Sequence, residues 1–142
     1  MIREANENDW IEVYDLIVEL ENFSFAQESF KEIYYKNIQD KKVVYFVKEI
    51  EKKIIGFVSI LLSTPLHHCA TIAEVQELIV TEKFRNAKIG KELLCLVEQL
   101  ANENGWVQIE IASNIKRLQA HNFYIANQFP RSHYKFVKKI KN

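Results

Sequence analysis

Apolar residues recur every third or fourth position in some stretches of this chain and alternate in others, and the two periods predict its elements. Met1–Glu4 reads as a short strand. Trp10, Val13, Ile17 and Leu20 follow at helical spacing, behind Asn8 or Asp9, either of which can cap a helix. A second helix is predicted over Gln27–Ile38, with Phe30, Ile33 and Tyr34 inward. Lys42–Ile50 and Ile54–Leu62 are β-branched and aromatic; with Glu51–Lys53 as a tight turn they predict a hairpin. Thr64–Ala70 reads as a loop and Thr71–Val80 as a strand. Phe84–Asn104 contains a long helix, with Ile89, Leu93, Val97 and Leu100 on one face and Gly105 closing it. A strand over Val107–Ile111, a helix over Ile115–Asn127 and a last strand over His133–Ile140 complete the pattern. The order β-α-α-β-β-β-α-β-α-β predicts an α/β chain, largely antiparallel in its first half, with a strand–helix–strand crossover suited to parallel pairing.

Length and composition narrow the class. The 142 residues, 48% hydrophobic and 27% charged, suit one soluble globular domain spanning 1–142, with enough chain for a core without staples. Cys69 and Cys95 lack metal-ligand spacing and read as reduced thiols. The opening MIREANENDW lacks the apolar run of a leader, and the nine-residue run Ile54–Leu62 is too short to span a bilayer as a helix. A cytoplasmic protein with no membrane partner is therefore expected. Nineteen basic and nineteen acidic residues balance, which argues against a nucleic-acid partner. The balance is uneven along the chain. Residues 1–30 carry eight acids against Arg3, a net of −7; residues 131–142 carry five bases and no acid, a net of +5. Solvated helix and strand faces explain both ends, and the acidic end would also suit a cationic substrate or partner.

Three stretches carry candidate chemistry. In the first, Glu77-Leu-Ile-Val leads through Arg85-Asn-Ala-Lys-Ile-Gly90 into the long helix. A helix start offers unpaired N–H groups and a positive dipole end, a seat for a pyrophosphate. Gly90 permits close approach, and Arg85, Lys88 and Lys91 add charge. In the second, Asn114 can cap a helix on which Ala120, Phe123 and Tyr124 share a face; a tyrosine there needs a partner for its hydroxyl if buried. In the third, Glu74 and Glu77 interrupt an apolar strand. Simple alternation places Glu74 with Gln76 on one face and Glu77 on the other, so only one of the two carboxylates faces a given ligand.

Arg85-Asn-Ala-Lys-Ile-Gly90 resembles the (Gln/Arg)-x-x-Gly-x-(Gly/Ala) loop of the GNAT N-acetyltransferases, and Ala120-His-Asn-Phe-Tyr-Ile-Ala-Asn-Gln-Phe129 resembles that family's Ala-His-x-Phe-Tyr-x-x-x-Gly-Phe segment. Lys88 and Gln128 stand where the family has glycine. His67-His68, Glu74-Val-Gln-Glu77, Ser113–Arg117, Ala120-His121 and Ser132–Phe136 are similar to the aminoalkylphosphonate N-acetyltransferases. The resemblance implies a GNAT-like mixed, mostly antiparallel sheet of six to seven strands flanked by about four helices. It implies acetyl-CoA as cosubstrate and a primary amine of a small molecule, such as an aminoalkylphosphonate, as acceptor. Catalysis would fall to Glu74 as first candidate base, Glu77 as second, and Tyr124 as acid to the departing thiolate. The coenzyme would lie along Leu78, Ile79 and Val80, over the amides of Arg85, Asn86, Ala87, Lys88, Ile89, Gly90 and Lys91, and against Asn114. The acceptor would meet Arg117, His121, Ser132 and His133, with Lys116 and Arg131 nearby.

Other readings stay open at this level. The acceptor could be a polyamine, an aminoglycoside or a protein amine, or the chain could be a non-catalytic acetyl-CoA-binding module, a reading that Lys88 favours. A divalent ion held by His67, His68 and a glutamate would require the loop to turn both rings to one side. Aromatic residues such as Tyr34 and Tyr35 would serve a homodimer if exposed.

Overall fold

The computed structural model describes residues 1–141, the Asn86 side chain excepted. Two compact units are present, Met1–Glu110 and Ile111–Asn142. The first holds β1 (Ile2–Glu4), α1 (Trp10–Glu21), α2 (Gln27–Ile38), β2 (Val43–Ile50), β3 (Lys53–Ser63), β4 (Ile72–Val80) and α3 (Ile89–Asn104), and its end falls within β5 (Ile109–Ile111). The second holds α4 (Leu118–Ala126). The strands form one sheet in the order β1-β2-β3-β4-β5, antiparallel from β1 to β4. Val107 N–H donates to Thr71 O and Ala73 N–H to Gln108 O, so the chain enters β5 in the same direction as β4.

Five strands stand among the described residues, in place of the expected six to seven. The missing one is the strand expected over His133–Ile140. Tyr134, Phe136, Val137 and Ile140 are β-branched or aromatic residues interspersed with lysines, yet they are 71–92% exposed and the segment carries no ladder. A strand needs a neighbouring ladder for its N–H and C=O groups, and strand propensity alone does not supply one.

Helices cover both faces of the sheet. Val13, Leu16, Ile17 and Tyr34 from α1 and α2 pack with Val47, Phe57 and Ile79 into one core. Ile89, Leu93, Leu94 and Val97 of α3 are buried on the other face. Gly56 of β3 is the close approach there, since a Cβ would stand 3.4 Å from Leu93 Cδ1 and 3.5 Å from Ile89 Cγ2. Ile33 is exposed although the spacing placed it inward: the buried stripe of α2 runs through Tyr34, and the preceding residue lies 100° away around the helix. Tyr34 itself is 3% exposed and its hydroxyl donates to Asn6 O at 2.7 Å, so it is core and offers no dimer surface.

The start of α1 uses a cap the sequence reading missed. Asn6 Oδ1 accepts Asn8 N–H while Asp9 Oδ2 accepts Asn6 N–H, a capping box around a short 3-10 turn. Arg3 then donates to both oxygens of Asp9, at 2.7 and 3.0 Å, and to Glu49 Oε2 at 2.8 Å. Burial alone would raise the Asp9 carboxyl, but the bonds from Arg3 and the Asn6 amide hold it below its ordinary value.

At the β2–β3 hairpin Ile50 pairs with Lys53, leaving a two-residue loop in which Glu51 (φ 50°) and Lys52 (φ 65°) are both left-handed. That is the backbone of a tight hairpin turn built from residues that disfavour it. Each non-glycine residue in this region costs about 1–2 kcal/mol. Replacing Glu51→Asn together with Lys52→Gly is therefore expected to raise unfolding stability by roughly 1–2 kcal/mol, measured by urea denaturation.

Candidate functional site

The sheet carries its polar chemistry in one transverse row. In β3 and β4, Ser59 pairs with Glu77, but the next pair is Ile60 with Val75, so Gln76 is an extra residue bulged out of the ladder. Beyond it, Glu74 pairs with Leu61. Directly paired residues share a face, and Ser59 and Leu61 lie two apart on β3, so Glu74 and Glu77 lie on the same face. The expectation of opposite faces is corrected by this bulge. On the other side of β3, Tyr45 of β2 also pairs with Ser59. Tyr45, Ser59 and Glu77 thus form a row across three strands, flanked by the rows Val47–Phe57–Ile79 and Val43–Leu61–Glu74.

Within the row the hydrogen bonds are reciprocal. Ser59 Oγ–H donates to Glu77 Oε1 in a very short bond, and Glu77 N–H donates to Ser59 Oγ at 2.9 Å. Asn37 of α2 donates from Nδ2 to the Tyr45 hydroxyl oxygen at 2.7 Å. Burial pushes the Glu77 carboxyl above its ordinary value; the Ser59 bond opposes the rise, and the negative charges of Glu21 and Glu74 add to it. Burial likewise raises the Tyr45 phenol. Glu74 is half-exposed and accepts only a 3.2 Å bond from Gln76 Nε2. Both carboxylates are half-buried, but Glu77 is held by Ser59 and its proton affinity is raised, which suits a group that takes up a proton, whereas Glu74 meets only Gln76.

Leu78, Ile79 and Val80 complete β4 and lead into the second feature, a loop that carries a 3-10 helix over Glu82–Ala87. Lys88 has φ 62° and ψ 18°, the left-handed conformation that glycine adopts freely. Its side chain makes no cap bond. Helical bonding begins with Glu92 N–H to Lys88 O, so Ile89, Gly90 and Lys91 present the amides of a helix start. Glu19 of α1 anchors this loop: its carboxylate accepts Thr81 Oγ1–H at 2.8 Å, Glu82 N–H at 3.0 Å and Arg85 Nη2 at 2.8 Å. Arg85 also donates from Nε to Val80 O. The guanidinium expected to add charge for a ligand is therefore engaged in holding the loop. Nothing in the sequence marked Glu19, since it is one acid among eight in the first 30 residues.

The second unit holds the remaining candidates. Asn114 Oδ1 accepts Lys116 N–H at 2.9 Å, and Asn114 O accepts both Arg117 N–H and a 2.8 Å bond from His121 Nε2. These bonds tie the start of α4 to the turn before it. Tyr124 is half-buried; burial raises its phenol, and the Arg117 charge opposes the rise. Arg117, Ser132 and His133 are exposed, and Ser132 Oγ lies 2.6 Å from His133 Nδ1. Gln128, like Lys88, has a left-handed φ, 70°. Ser113 Oγ is buried without a partner.

His67 and His68 lie in the β3–β4 loop with ring centroids 4.3 Å apart. Among the described residues no group of three His, Cys, Asp or Glu side chains gathers as a metal site. Cys69 and Cys95 are both free and exposed.

Comparison with known proteins gives this arrangement a context. The acetyltransferase (GNAT) family model matches residues 10–127. An aminoalkylphosphonate N-acetyltransferase of Salmonella typhimurium is 34% identical over 139 residues, covering 98% of this chain and 90% of that protein. The chain belongs to the GNAT acetyltransferase family. The fold of this GNAT protein is also that of a transcriptional regulator from Bacillus halodurans C-125 (TM-score 0.90, 20% identity, 99% of each chain). It is shared by an aminoglycoside acetyltransferase from an uncultured soil metagenomic sample (TM-score 0.85, 21% identity, 99% of this chain and 96% of that one). At these identities the two structures bear on fold alone. In this GNAT protein the family's two glycine positions keep a glycine-like backbone although Lys88 and Gln128 occupy them.

Glu19→Ala removes the acceptor shared by Thr81, Glu82 and Arg85. Because the cluster is solvent-exposed, the expected loss of stability is small, roughly 1 kcal/mol. The sharper readout is hydrogen exchange: the Glu82 amide should lose protection while core amides of β3 keep theirs.

Proposed function

We propose that the chain transfers an acetyl group from acetyl-CoA to the primary amine of a small molecule, with an aminoalkylphosphonate as the first acceptor to test. The observation that carries the reading is the half-buried Glu77, fixed on the Tyr45–Ser59–Glu77 row, in a chain 34% identical to an aminoalkylphosphonate N-acetyltransferase. The coenzyme suits the residues present. The start of α3 presents the amides of Ile89, Gly90 and Lys91 to a diphosphate, left-handed Lys88 turns the backbone into them, and Lys88 and Lys91 add charge. Arg85 to Ala87 would continue that cradle through their amides, and Leu78 to Val80 would line the pantetheine; Asn114, in the second unit, is a separate candidate for it. The coenzyme supplies an activated thioester, so no protein nucleophile is required.

Glu77 then replaces Glu74 as the preferred base. An alkylammonium with a pKa of about 10 must lose a proton before its nitrogen can attack. Glu77 Oε takes that proton, directly or through water, before the nitrogen attacks. As the N–C bond forms and the C–S bond breaks, the Tyr124 phenol gives its proton to the departing sulfur, and the second proton shed by the nitrogen as it becomes an amide restores the phenol through solvent. Arg117, His121, Ser132 and His133 are the candidates for the anionic end of the acceptor, Arg being the best fork for a tetrahedral anion. Two exposed free thiols and the coenzyme itself fit a reducing, cytoplasmic setting.

A polyamine is the second reading. Glu21 and Glu74, whose charges reach Glu77, would attract a second ammonium more readily than a phosphonate. Release of CoA followed with a thiol reagent, over aminomethylphosphonate, aminoethylphosphonate, spermidine and an aminoglycoside, separates these acceptors. No release with any of them overturns the enzymatic reading.

The two carboxylates are told apart by pH. As a base, Glu77 must be ionised, so kcat/KM should rise with pH through a value above the ordinary carboxylate range. Glu77→Gln should abolish that limb, and Glu74→Gln should leave it in place. The fold is a built-in control. A carboxyl whose pKa is raised on folding contributes stability that is present at low pH and lost as pH rises through the raised value, so Glu77→Gln should be no less stable than the parent at neutral pH. For the acid, Tyr124→Phe should lower kcat by about 10²-fold or more while acetyl-CoA affinity by calorimetry changes little.

A further inference from the structure

We propose that Ser59 is a positioning residue that aims and tunes the Glu77 carboxylate, a role that rests on Glu77 being the base. Ser59 is 1% exposed, in the middle of a strand otherwise apolar from Ile54 to Leu62 except at Gly56. A buried hydroxyl in such a run needs both its donor and its acceptor used. Both are used on one residue. The oxygen accepts the Glu77 N–H, and the proton goes to Glu77 Oε1. Because the accepted N–H fixes the direction of the lone pair, the hydroxyl proton is directed at the carboxylate.

Regular alternation back from Ile79 places Glu77 opposite Ser59 with or without a bulge; the bulge at Gln76 adds Glu74 to the same face. With it, the negative groups around Glu77 are Glu74 on its own strand and Glu21 at the end of α1. The titratable group across from it on β2 is Tyr45. None of the three donates a hydrogen bond to Glu77 among the described residues; Tyr45 accepts its own bond from Asn37. Ser59 is thus the side chain that favours the ionised carboxylate against burial and two like charges.

The test is the pH profile of kcat/KM in a matched set. Ser59→Ala removes one oxygen and opens little space, and Ser59→Thr retains the hydroxyl. Loss of a bond that favours the ionised form should move the acidic limb to higher pH in Ser59→Ala and lower kcat at neutral pH roughly tenfold, with KM for acetyl-CoA unchanged. Ser59→Thr should restore the limb towards the parent value. A Ser59→Ala limb at the parent pH, while Glu77→Gln still abolishes it, overturns the role of Ser59 and leaves Glu77 as base. A limb that persists in Glu77→Gln overturns the base assignment instead. If Ser59→Ala loses thermal stability so far that it cannot be assayed, Ser59→Cys, nearly isosteric but a weak donor, carries the same expected shift and the same overturning result.

Discussion

One inserted residue decides how much negative charge gathers on one face of the sheet. Strand alternation would send Glu74 and Glu77 to opposite faces of the sheet, and the bulge at Gln76 brings both to the face packed against α1 and α2. That face is otherwise a dry core of Val47, Phe57, Ile79 and the helix residues over them. Placing a carboxylate at its margin is unfavourable unless the charge is bonded, and the Ser59 hydroxyl, itself held by the Glu77 N–H, supplies that bond. The result is a group that stays partly reluctant to ionise. The same desolvation that weakens the fold at neutral pH raises the proton affinity of the carboxylate.

The sequence made most elements legible and the site only in outline. α2 runs over Gln27–Ile38 as its periodicity predicts, and Gly105 closes α3 with φ 72°, its N–H returning to Ala101 O. These features depend on local rules, so local residues reveal them. The bulge does not. Val75-Gln76-Glu77 contains no glycine or other marker, and the insertion shows only when β3 is laid alongside. For the same reason simple alternation separates Glu74 from Glu77: it is the right rule applied to a strand that breaks it. Glu19 was invisible because its role is defined by what it meets, an amide, a hydroxyl and a guanidinium 62 or more residues away. The final segment shows the converse failure. Tyr134 to Ile140 has the aromatic and β-branched content of a strand, and among the described residues no neighbouring ladder receives it.

Backbone conformations explain what residue types concealed. Glu51, Lys52, Lys88 and Gln128 all occupy left-handed φ that a sequence reader assigns to glycine or asparagine. With only three glycines in 142 residues, the chain builds its tight turns from ordinary side chains. Such positions hold because their surroundings determine them. The hairpin turn is pinned by the Ile50–Lys53 pair, and the loop before α3 by Glu19 and the Arg85–Val80 bond.

Lys88 carries two unfavourable terms at once. Its left-handed backbone is strained, and its cation stands at the positive end of the α3 dipole, where an acidic residue or a capping oxygen is favoured. Glycine would relieve both. Neither term is offset within the loop: the side chain makes no cap bond, and the nearest bonded guanidinium, Arg85, already pairs with Glu19. An anion seated on the first amides of α3 reverses the second term, because cation and dipole then attract the same charge. The replacement that most weakens the glycine pattern of this loop is therefore not an argument against coenzyme binding. It keeps the glycine geometry and adds to it a charge that is disadvantageous in the empty loop and favourable once a diphosphate is bound.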